Sequence, residues 1–331
     1  MLVTCEEFAE KLRQYNEICI VYHEGPDGDC IGSAYGLAEA LRTAGCQCAV
    51  LGQDPVPEPY QVMTEGWKQD TPVHPVYIGV DCADRARTGK LYQDKEYLFW
   101  IDHHGSEQEQ AAFELTDPSR SACSELILEL IEKMQIPVTA NIADMLYSAM
   151  ITDTNCFRTP SVSSRTFETA ARLAAYGADV SAIGRRYRFH KPERRLRLEA
   201  AMLAHTHFLY GGRLITSVLH LKDLENAGIA SQSDIAMEGI NDYPEQFSEM
   251  EIGLTLREYP GGEVRASVKT AAGGVDAKEI AEAFGGGGHR HAGGFRICAD
   301  AEQLRMQMET FCKRYFENDG ATDACNCVSI M

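Results

Sequence analysis

Short apolar runs alternate with segments of helical periodicity through the first 190 residues of the chain. Apolar runs bounded by charged or small residues are typical of buried strands in a parallel sheet. The predicted strands are residues 19–22, 47–51, 76–80 and 97–100. Apolar positions at helical spacing predict helices at residues 5–14, 31–45, 121–136, 139–154, 163–176 and 180–189. This alternation predicts an α/β fold in which helices cover a parallel sheet.

The pattern changes after residue 190, and a second domain is expected there. At 331 residues the chain is longer than one hydrophobic core usually organises. We predict a first domain at 1–190, a linker at 191–211, a second and smaller α/β domain at 212–317, and a disordered tail at 318–331. The second domain has predicted strands at 213–220, 251–257 and 264–270, and predicted helices at 276–284 and 301–317.

Composition and charge limit the partners of the protein. The formal net charge of −18 excludes tracking along long nucleic acid through a broad basic surface. The twelve cysteines are scattered and lack the CxxC spacing of zinc or thioredoxin sites, so most are expected to be reduced and buried. The sequence shows neither a signal peptide nor a membrane span, so a cytoplasmic location without a membrane partner is expected.

The only dense basic run lies at residues 185–197, where the first domain is expected to end. Two interpretations are open. The run can be the solvated face of a linker helix, or it can line an interdomain cleft and attract phosphate. The first interpretation is the more common one for a run of charges.

Acidic and imidazole side chains follow the predicted strands at the point where each strand ends. They are His23, Asp27, Asp29, Asp81, Asp102, His103, His104 and, at the end of a predicted helix, Asp153. Because the carboxyl ends of parallel strands meet at one edge of a sheet, these side chains can converge in one crevice. A single one of them would as readily be a surface carboxylate or a buried histidine bonded to backbone. The full set indicates a shared site.

Divalent cations are the simplest explanation for so many carboxylates in one crevice. Without cations, the carboxylates would repel each other and their pKa values would rise. Carboxylate and imidazole ligands without cysteine suit manganese, cobalt or iron, and they also admit magnesium. Two ions about 3.5–4 Å apart, joined by a bridging carboxylate, are a common device for hydrolysing phosphate esters. We therefore expect two divalent cations, with manganese as the first choice.

These residues, in this order, resemble the four motifs of the DHH phosphoesterase family. The matching segments are His-Glu-Gly-Pro-Asp-Gly-Asp at 23–29, Asp81, Asp102-His103-His104 and Asp153. The sequence GGGGHRHAGGF at 285–295 resembles the signature of the DHH-associated C-terminal domain. Together the two parts span nearly all residues up to 316. In size and domain pairing the chain is similar to the bacterial nano-RNase group, which also removes phosphate from 3′-phosphoadenosine 5′-phosphate.

The resemblance implies two sets of metal ligands that share Asp81. The first set is His23, Asp27 and Asp81, and the second is Asp29, Asp81, His103 and Asp153. It also implies that His104 stays unligated near the phosphate, where it can bond an oxygen or protonate the leaving alkoxide. Asp102 would then orient a histidine.

The glycine-rich stretch allows two interpretations. Consecutive glycines can let a ligand approach backbone amides, or they can form a flexible turn. In relatives this loop faces the metal site and holds the nucleotide, which implies substrate contacts at Gly286, Gly287, Gly288, His289 and Arg290. Lys269 stands where relatives often have the arginine of an Arg-Ser pair, and lysine lacks that planar fork. Arg158 is a further candidate for phosphate binding, with an ordinary surface arginine as the alternative.

The resemblance implies a metal-dependent phosphohydrolase with its active site in the interdomain cleft. Its expected substrates are very short RNA or DNA oligonucleotides, cut from an end, or a nucleoside 3′,5′-bisphosphate. One alternative is a phosphodiesterase for cyclic or linear dinucleotides, and another is a nucleotide-binding sensor without turnover. An inorganic pyrophosphatase would share the first domain but lack the glycine-rich signature. A homodimer stays open as the assembly.

Overall fold

The computed structural model describes residues 1–70, 72–106, 108–229, 239–271 and 273–316. The chain divides into two compact units, Met1–His190 and Lys191–Met331. The tail expected at 318–331 lies outside the described residues. Within the described ranges, every helix is too short or too polar to cross a membrane.

A five-stranded parallel sheet organises the first unit, which confirms the predicted fold class. Its strands are β1 (Glu17–Val21), β2 (Gln47–Leu51), β3 (Val76–Val80), β4 (Tyr97–Asp102) and β5 (Phe113–Thr116), in the order β2-β1-β3-β4-β5. The central strands are buried nearly throughout, as their continuous apolar runs indicate. The sequence pattern did not predict strand β5. This strand has only four residues, lies at the edge of the sheet and has one buried side chain, Leu115.

Helices cover this sheet at the predicted positions. They are α1 (Cys5–Leu12), α2 (Gly28–Thr43), α3 (Cys123–Lys133), α4 (Ala140–Asp153), α5 (Ser164–Ala175) and α6 (Val180–Gly184). The side chains of Asp27 and Thr139 accept backbone hydrogen bonds at the N-termini of α2 and α4, which fixes where these helices begin. The helix predicted at 180–189 is α6 followed by one π-helical segment, Arg185–Phe189.

The second unit contains a six-stranded mixed sheet with the strand order β10-β11-β9-β8-β7-β6. Its strands are β6 (Thr206–Leu209), β7 (Leu214–Leu219), β8 (Ile252–Glu258), β9 (Glu263–Thr270), β10 (Gly287–His289) and β11 (Ala292–Cys298). Its helices are α7 (Glu193–Ala204), α8 (Leu221–Ala227), α9 (Ala277–Ala283) and α10 (Ala301–Cys312). Burial alternates along β9, so every second side chain of this strand faces the hydrophobic core.

Residues 191–211, expected to form a linker, instead hold helix α7 and edge strand β6 of the second unit. Leu198 and Met202 of α7 are fully buried in a cluster with residues of β7 and α8. The basic run is partly neutralised on this helix, where Arg195 donates to Glu199 at 2.7 Å. The apolar face of α7 is only two buried residues wide, which is why its charges dominated the sequence pattern.

The glycine-rich stretch, expected to be a loop, forms the hairpin of β10 and β11. Its glycines are required by close packing within the unit. A Cβ on Gly286 would lie 2.2 Å from the Gly294 carbonyl oxygen, and one on Gly293 would lie 2.8 Å from the Ala277 oxygen. Larger residues would therefore push the hairpin away from α9 and out of the sheet.

Candidate metal centre

The carboxyl ends of β1, β3 and β4 bring the predicted motifs together at one edge of the parallel sheet. His23 follows β1 by two residues, Asp81 follows β3 directly, and His103 follows β4 directly. All three strands run parallel in adjacent positions, so their ends share this edge. The positions agree with the rule that ligands bind beyond the carboxyl ends of strands in open α/β sheets.

His23 and His103 are held by the same arrangement. The Nδ1 of His23 donates to the carbonyl oxygen of Glu24 at 2.9 Å, and the Nδ1 of His103 donates to that of Arg120 at 3.3 Å. These bonds leave the Nε2 atom of each ring free to face the carboxylates. A histidine that ligates a metal usually has its second nitrogen bonded to a carbonyl or carboxylate in this way.

Asp81 lies between the two histidines and presents one oxygen to each. Its Oδ2 is 3.9 Å from the Nε2 of His23, and its Oδ1 is 3.4 Å from the Nε2 of His103. The side chain is 2% exposed, and within the described part of the chain its Oδ1 has no hydrogen-bond partner. Asp81 also has a positive φ of 57°, a conformation that costs energy in a residue other than glycine and is frequent at functional sites.

Asp29 is anchored by the N-terminus of α3. The backbone amides of Cys123 and Ser124 donate to its two carboxylate oxygens at 2.6 and 3.2 Å, and the Ser33 hydroxyl donates at 3.0 Å. The free amides and dipole of a helix N-terminus stabilise a negative charge. One Asp29 oxygen is nevertheless 3.8 Å from the Nε2 of His103, so it also faces the centre.

Asp27 approaches the centre from the start of α2. Its Oδ1 accepts from the Cys30 amide at 3.1 Å, and its Oδ2 is 3.6 Å from the Nε2 of His23. The Cys30 sulfur also lies near this group, a residue that the sequence analysis did not single out. Burial and the neighbouring carboxylates raise the pKa of the Cys30 thiol well above its usual range in the metal-free chain.

Asp153 reaches the centre because α2 and α4 pack unusually closely. A Cβ on Gly28, Gly32 or Gly36 would lie within 2.8 Å of atoms of α4, so these three glycines form the contact face of α2. Their contacts run in opposite order along the two helices, which therefore lie antiparallel. The start of α2 thus meets the end of α4, and the Oδ2 of Asp153 lies 3.8 Å from the Nε2 of His103.

Asp102 and His104 form a separate pair beside the carboxylates. The Nδ1 of His104 donates to the Oδ1 of Asp102 at 2.8 Å. Asp102 is 1% exposed, whereas the His104 side chain is 49% exposed. The hydrogen bond with Asp102 raises the pKa of His104 against the opposing effect of burial. A partly exposed imidazole with a raised pKa can carry a proton to a reacting group.

The donor set fits divalent cations. Burial, followed by repulsion from neighbouring carboxylates, raises the pKa of Asp81 well above its usual range and that of Asp153 to about 7. Among the described residues the Oδ1 of Asp81 is an acceptor without a hydrogen-bond partner, and the Nε2 atoms of His23 and His103 are further acceptors that face this carboxylate when the rings are neutral. Cations would satisfy these acceptors and remove the repulsion at once.

The predicted substrate residues lie on other elements of the chain. Arg158 is exposed in the turn after α4, behind three consecutive residues with positive φ. His289 and Arg290 are exposed at the tip of the hairpin of the second unit. The ammonium group of Lys269 is already paired with Asp242 at 2.8 Å. The contact between Lys269 and Asp242 was not visible in the sequence, since the two residues are distant along the chain.

Comparisons with known proteins identify the family of the chain. The model of the DHH family, N-terminal domain, matches residues 17–150. The bifunctional oligoribonuclease and PAP phosphatase NrnA of Thermus thermophilus is 30% identical over 280 residues, which cover 84% of this chain and 83% of that protein.

Two further relatives concern the metal and the fold. A probable manganese-dependent inorganic pyrophosphatase of Bacillus velezensis is 27% identical over 184 residues, which cover 51% of this chain and 58% of that protein. The crystal structure of an exopolyphosphatase-related protein from Bacteroides fragilis has a TM-score of 0.78 and 22% identity, covering 95% of this chain and 97% of that chain. The structural likeness establishes the fold, and the sequence relatives support dependence on a divalent metal.

Proposed function

The chain belongs to the DHH family of hydrolases, and from this premise we propose that it hydrolyses very short oligonucleotides and nucleoside 3′,5′-bisphosphates with two divalent cations. The observation that carries the proposal is the position of Asp81. Its two carboxylate oxygens face two different histidines, at 3.9 Å from His23 and 3.4 Å from His103. A carboxylate in that position can bridge two cations, as two-metal phosphoesterases require.

The proposed ligand sets are those that the family resemblance implies, and the contacts around His23 and His103 support them. His23, Asp27 and Asp81 would hold one cation, and Asp29, Asp81, His103 and Asp153 would hold the other. Manganese is our first choice because nitrogen and carboxylate ligands without thiolate suit it, and because the pyrophosphatase relative is named as manganese-dependent. Magnesium, cobalt and iron are the alternatives.

When bound, the cations would polarise the phosphoryl oxygens and activate water for attack on phosphorus. The protein groups around them have separate roles. His104 would donate its proton to the leaving oxygen, since its Nδ1 is held by Asp102 and its ring is half exposed. Asp102 would position that ring and favour its protonated form. The α3 amides would fix the direction of the Asp29 carboxylate and favour its charged form against the burial that raises its pKa.

The substrate class rests on the relatives and on charge. The Thermus protein is named as an oligoribonuclease and a phosphatase, two activities that share the hydrolysis of a phosphate ester. The net charge of −18 gives this chain little attraction for a long anionic polymer. Oligomers of a few nucleotides, or a single nucleotide bisphosphate, are therefore the proposed substrates.

The experiment compares Asp81→Ala with Asp94→Ala, an exposed aspartate of the same unit. Wild-type protein in manganese is assayed on dinucleotides, longer oligomers, 3′-phosphoadenosine 5′-phosphate and cyclic dinucleotides, and bound metal is counted by mass spectrometry. We expect about two manganese ions per chain in the wild type, with short oligomers and the bisphosphate as the best substrates. Asp81→Ala should lose both metal and turnover, while Asp94→Ala should keep both.

Two results would contradict the proposal. The first is a folded Asp81→Ala protein with normal metal content and rate, which would remove the bridge. The second is a preference for cyclic dinucleotides over all other substrates, which would replace the proposed substrate class. A wild-type protein that binds nucleotides without turnover in manganese would instead be a sensor.

A further inference from the structure

Three arginines form a row across adjacent strands of the second sheet. Arg257 of β8 is paired with Arg265 of β9, and Arg265 is paired with Arg296 of β11. Both strand pairs are antiparallel, so directly opposed side chains point to the same face of the sheet. Like charges opposed in this way destabilise a sheet. This arginine row therefore calls for an anion that offsets its repulsion.

A cavity of about 370 Å³ lies over the arginine row. Asn241, Ser267 and Gly294 also line it, beside the three guanidinium groups. Cavities of about 300–1,000 Å³ are the usual size for small-molecule sites. The space over the row is thus large enough for a mononucleotide.

The protein itself provides little countercharge for the row. Within the described ranges, Glu263 is the only carboxylate in ion-pair contact with these arginines, and it binds Arg265 at 2.6 Å. The Nε of Arg257 is buried, and no described residue forms a hydrogen bond with it. Burial and the neighbouring charge of Arg265 lower the pKa of Arg257. An unpaired buried donor on a cation is costly, and a phosphate oxygen would satisfy it.

Asn241, which lines the cavity, also carries an unsatisfied acceptor. Its Oδ1 is buried, and it has no hydrogen-bond partner among the residues that the structure describes. A simple inorganic anion would leave that acceptor unpaired, because it offers few or no donors. A nucleotide offers both kinds of group, since its phosphate accepts from arginine and its sugar hydroxyls or base amines donate. The chemistry of the cavity therefore matches a nucleotide better than a bare anion.

We propose that the arginine row and Asn241 bind a nucleotide through its phosphate. Arg265, Ser267 and Lys269 share one face of β9, so the row continues toward the predicted substrate residue Lys269. The ligand can be a non-reacting nucleotide of an oligonucleotide substrate or a free nucleoside monophosphate. Both ligands carry the phosphate that the arginines would bind. Only binding of an oligonucleotide substrate rests on the proposed function.

The test measures nucleotide binding by calorimetry with the full chain in a metal chelator, so that hydrolysis cannot occur. The ligands are adenosine 5′-monophosphate, adenosine and a trinucleotide. The variant Arg265→Gln with Arg296→Gln removes two charges of the row and keeps Arg257. The matched control is Lys278→Gln, an exposed lysine of the same unit. A second variant, Asn241→Asp, supplies a carboxylate of the same shape.

We expect the wild type to bind the monophosphate at least about tenfold more tightly than adenosine, the factor that 1.4 kcal/mol gives. The double variant and Asn241→Asp should lose that preference, while Lys278→Gln keeps it. Unfolding is measured on the same preparations, because Arg265→Gln also removes the ion pair with Glu263. A folded double variant that keeps the preference for the monophosphate would overturn the proposal.

The ligand series also identifies the source of the phosphate. A trinucleotide that binds more tightly than the monophosphate, with the gain lost in the double variant, supports a substrate subsite. Equal affinities, both lost in the double variant, support a site for free nucleotide. Unchanged affinities in the double variant overturn the proposal, whatever its unfolding temperature. Because no turnover is measured, failure of hydrolysis in the manganese assay would overturn the proposed function and leave this result standing.

Discussion

Gly28 and Thr152 approach so closely that a Cβ on Gly28 would lie 2.3 Å from the Thr152 hydroxyl oxygen. This contact joins the first turn of α2, which carries Asp29, to the last turn of α4, which carries Asp153. Any increase in the separation of the two helices would move these carboxylates apart. The absence of a side chain at Gly28 is therefore a condition for the geometry of the candidate metal centre.

Gly28→Ala should weaken metal binding although it removes no ligand. Overpacking of this kind costs about 1–3 kcal/mol and shifts backbone positions. Loss of the contacts that hold metal ligands in position typically lowers metal affinity by about 10–100-fold. Manganese titration followed by calorimetry would measure the change. The control is Gly184→Ala in α6, where an added Cβ meets no atom within 4 Å. Equal affinity in the two variants would show that the helix contact is unimportant.

His103 and His104 should fail differently when truncated. His103→Ala should lose metal, because the Nε2 of His103 faces Asp29, Asp81 and Asp153. His104→Ala should keep metal and lose about 10²–10⁴-fold in kcat, the usual contribution of a general acid. Metal content and kcat would be measured on the same preparations. A metal-free His104 variant beside a fully loaded His103 variant would reverse the two roles.

Asp102→Asn should move the pH dependence of kcat. The hydrogen bond from Asp102 raises the pKa of His104, so protonated His104 persists to higher pH in the wild type. Without that carboxylate the pKa falls, and the alkaline limb of the profile should shift to lower pH. Asp94→Asn, which alters an exposed aspartate, is the control. An unmoved alkaline limb in Asp102→Asn would exclude His104 as the proton donor.

Metal-free protein should be more stable at pH 5 than at pH 8. The pKa of Asp153 is raised from 3.8 to about 7 by burial and by Asp29, so the folded chain binds more protons than the unfolded chain between these values. Stability must then fall as the pH rises through that window. The raised pKa values of His23 and His104 act in the same direction. Unfolding in chelator would measure this.

The expected difference in unfolding temperature is at least about 2–4 °C, the shift produced by 1 kcal/mol in a domain of this size. Asp153→Asn should reduce it, since the asparagine does not titrate. Manganese added at pH 8 should restore the stability of the wild type. An unfolding temperature in chelator that is higher at pH 8 than at pH 5 would contradict the assigned repulsion among these carboxylates.

The sequence alone determined the elements and the chemistry of the centre, because both depend on local pattern. Strand β1 is recognisable from its apolar run. The turn that follows it carries His23 and Asp27, and Asp27 caps the start of α2. The carboxyl ends of parallel strands meet at one edge of a sheet. The sequence alone therefore predicts that Asp81 and His103 lie near His23. Short edge elements such as β5 and β6 were missed, since four residues carry too little periodicity.

Tertiary structure decided what depends on register and on helix packing. The approach of Asp153 to the centre requires the glycine face of α2 to lie against α4, a contact between segments more than 100 residues apart. The arginine row exists only because β8, β9 and β11 pair in one register, and a shift of one residue would send Arg265 to the opposite face. Lys269 likewise meets Asp242 only in the folded unit. Such contacts are set by the free energy of packing distant segments, which local pattern does not encode.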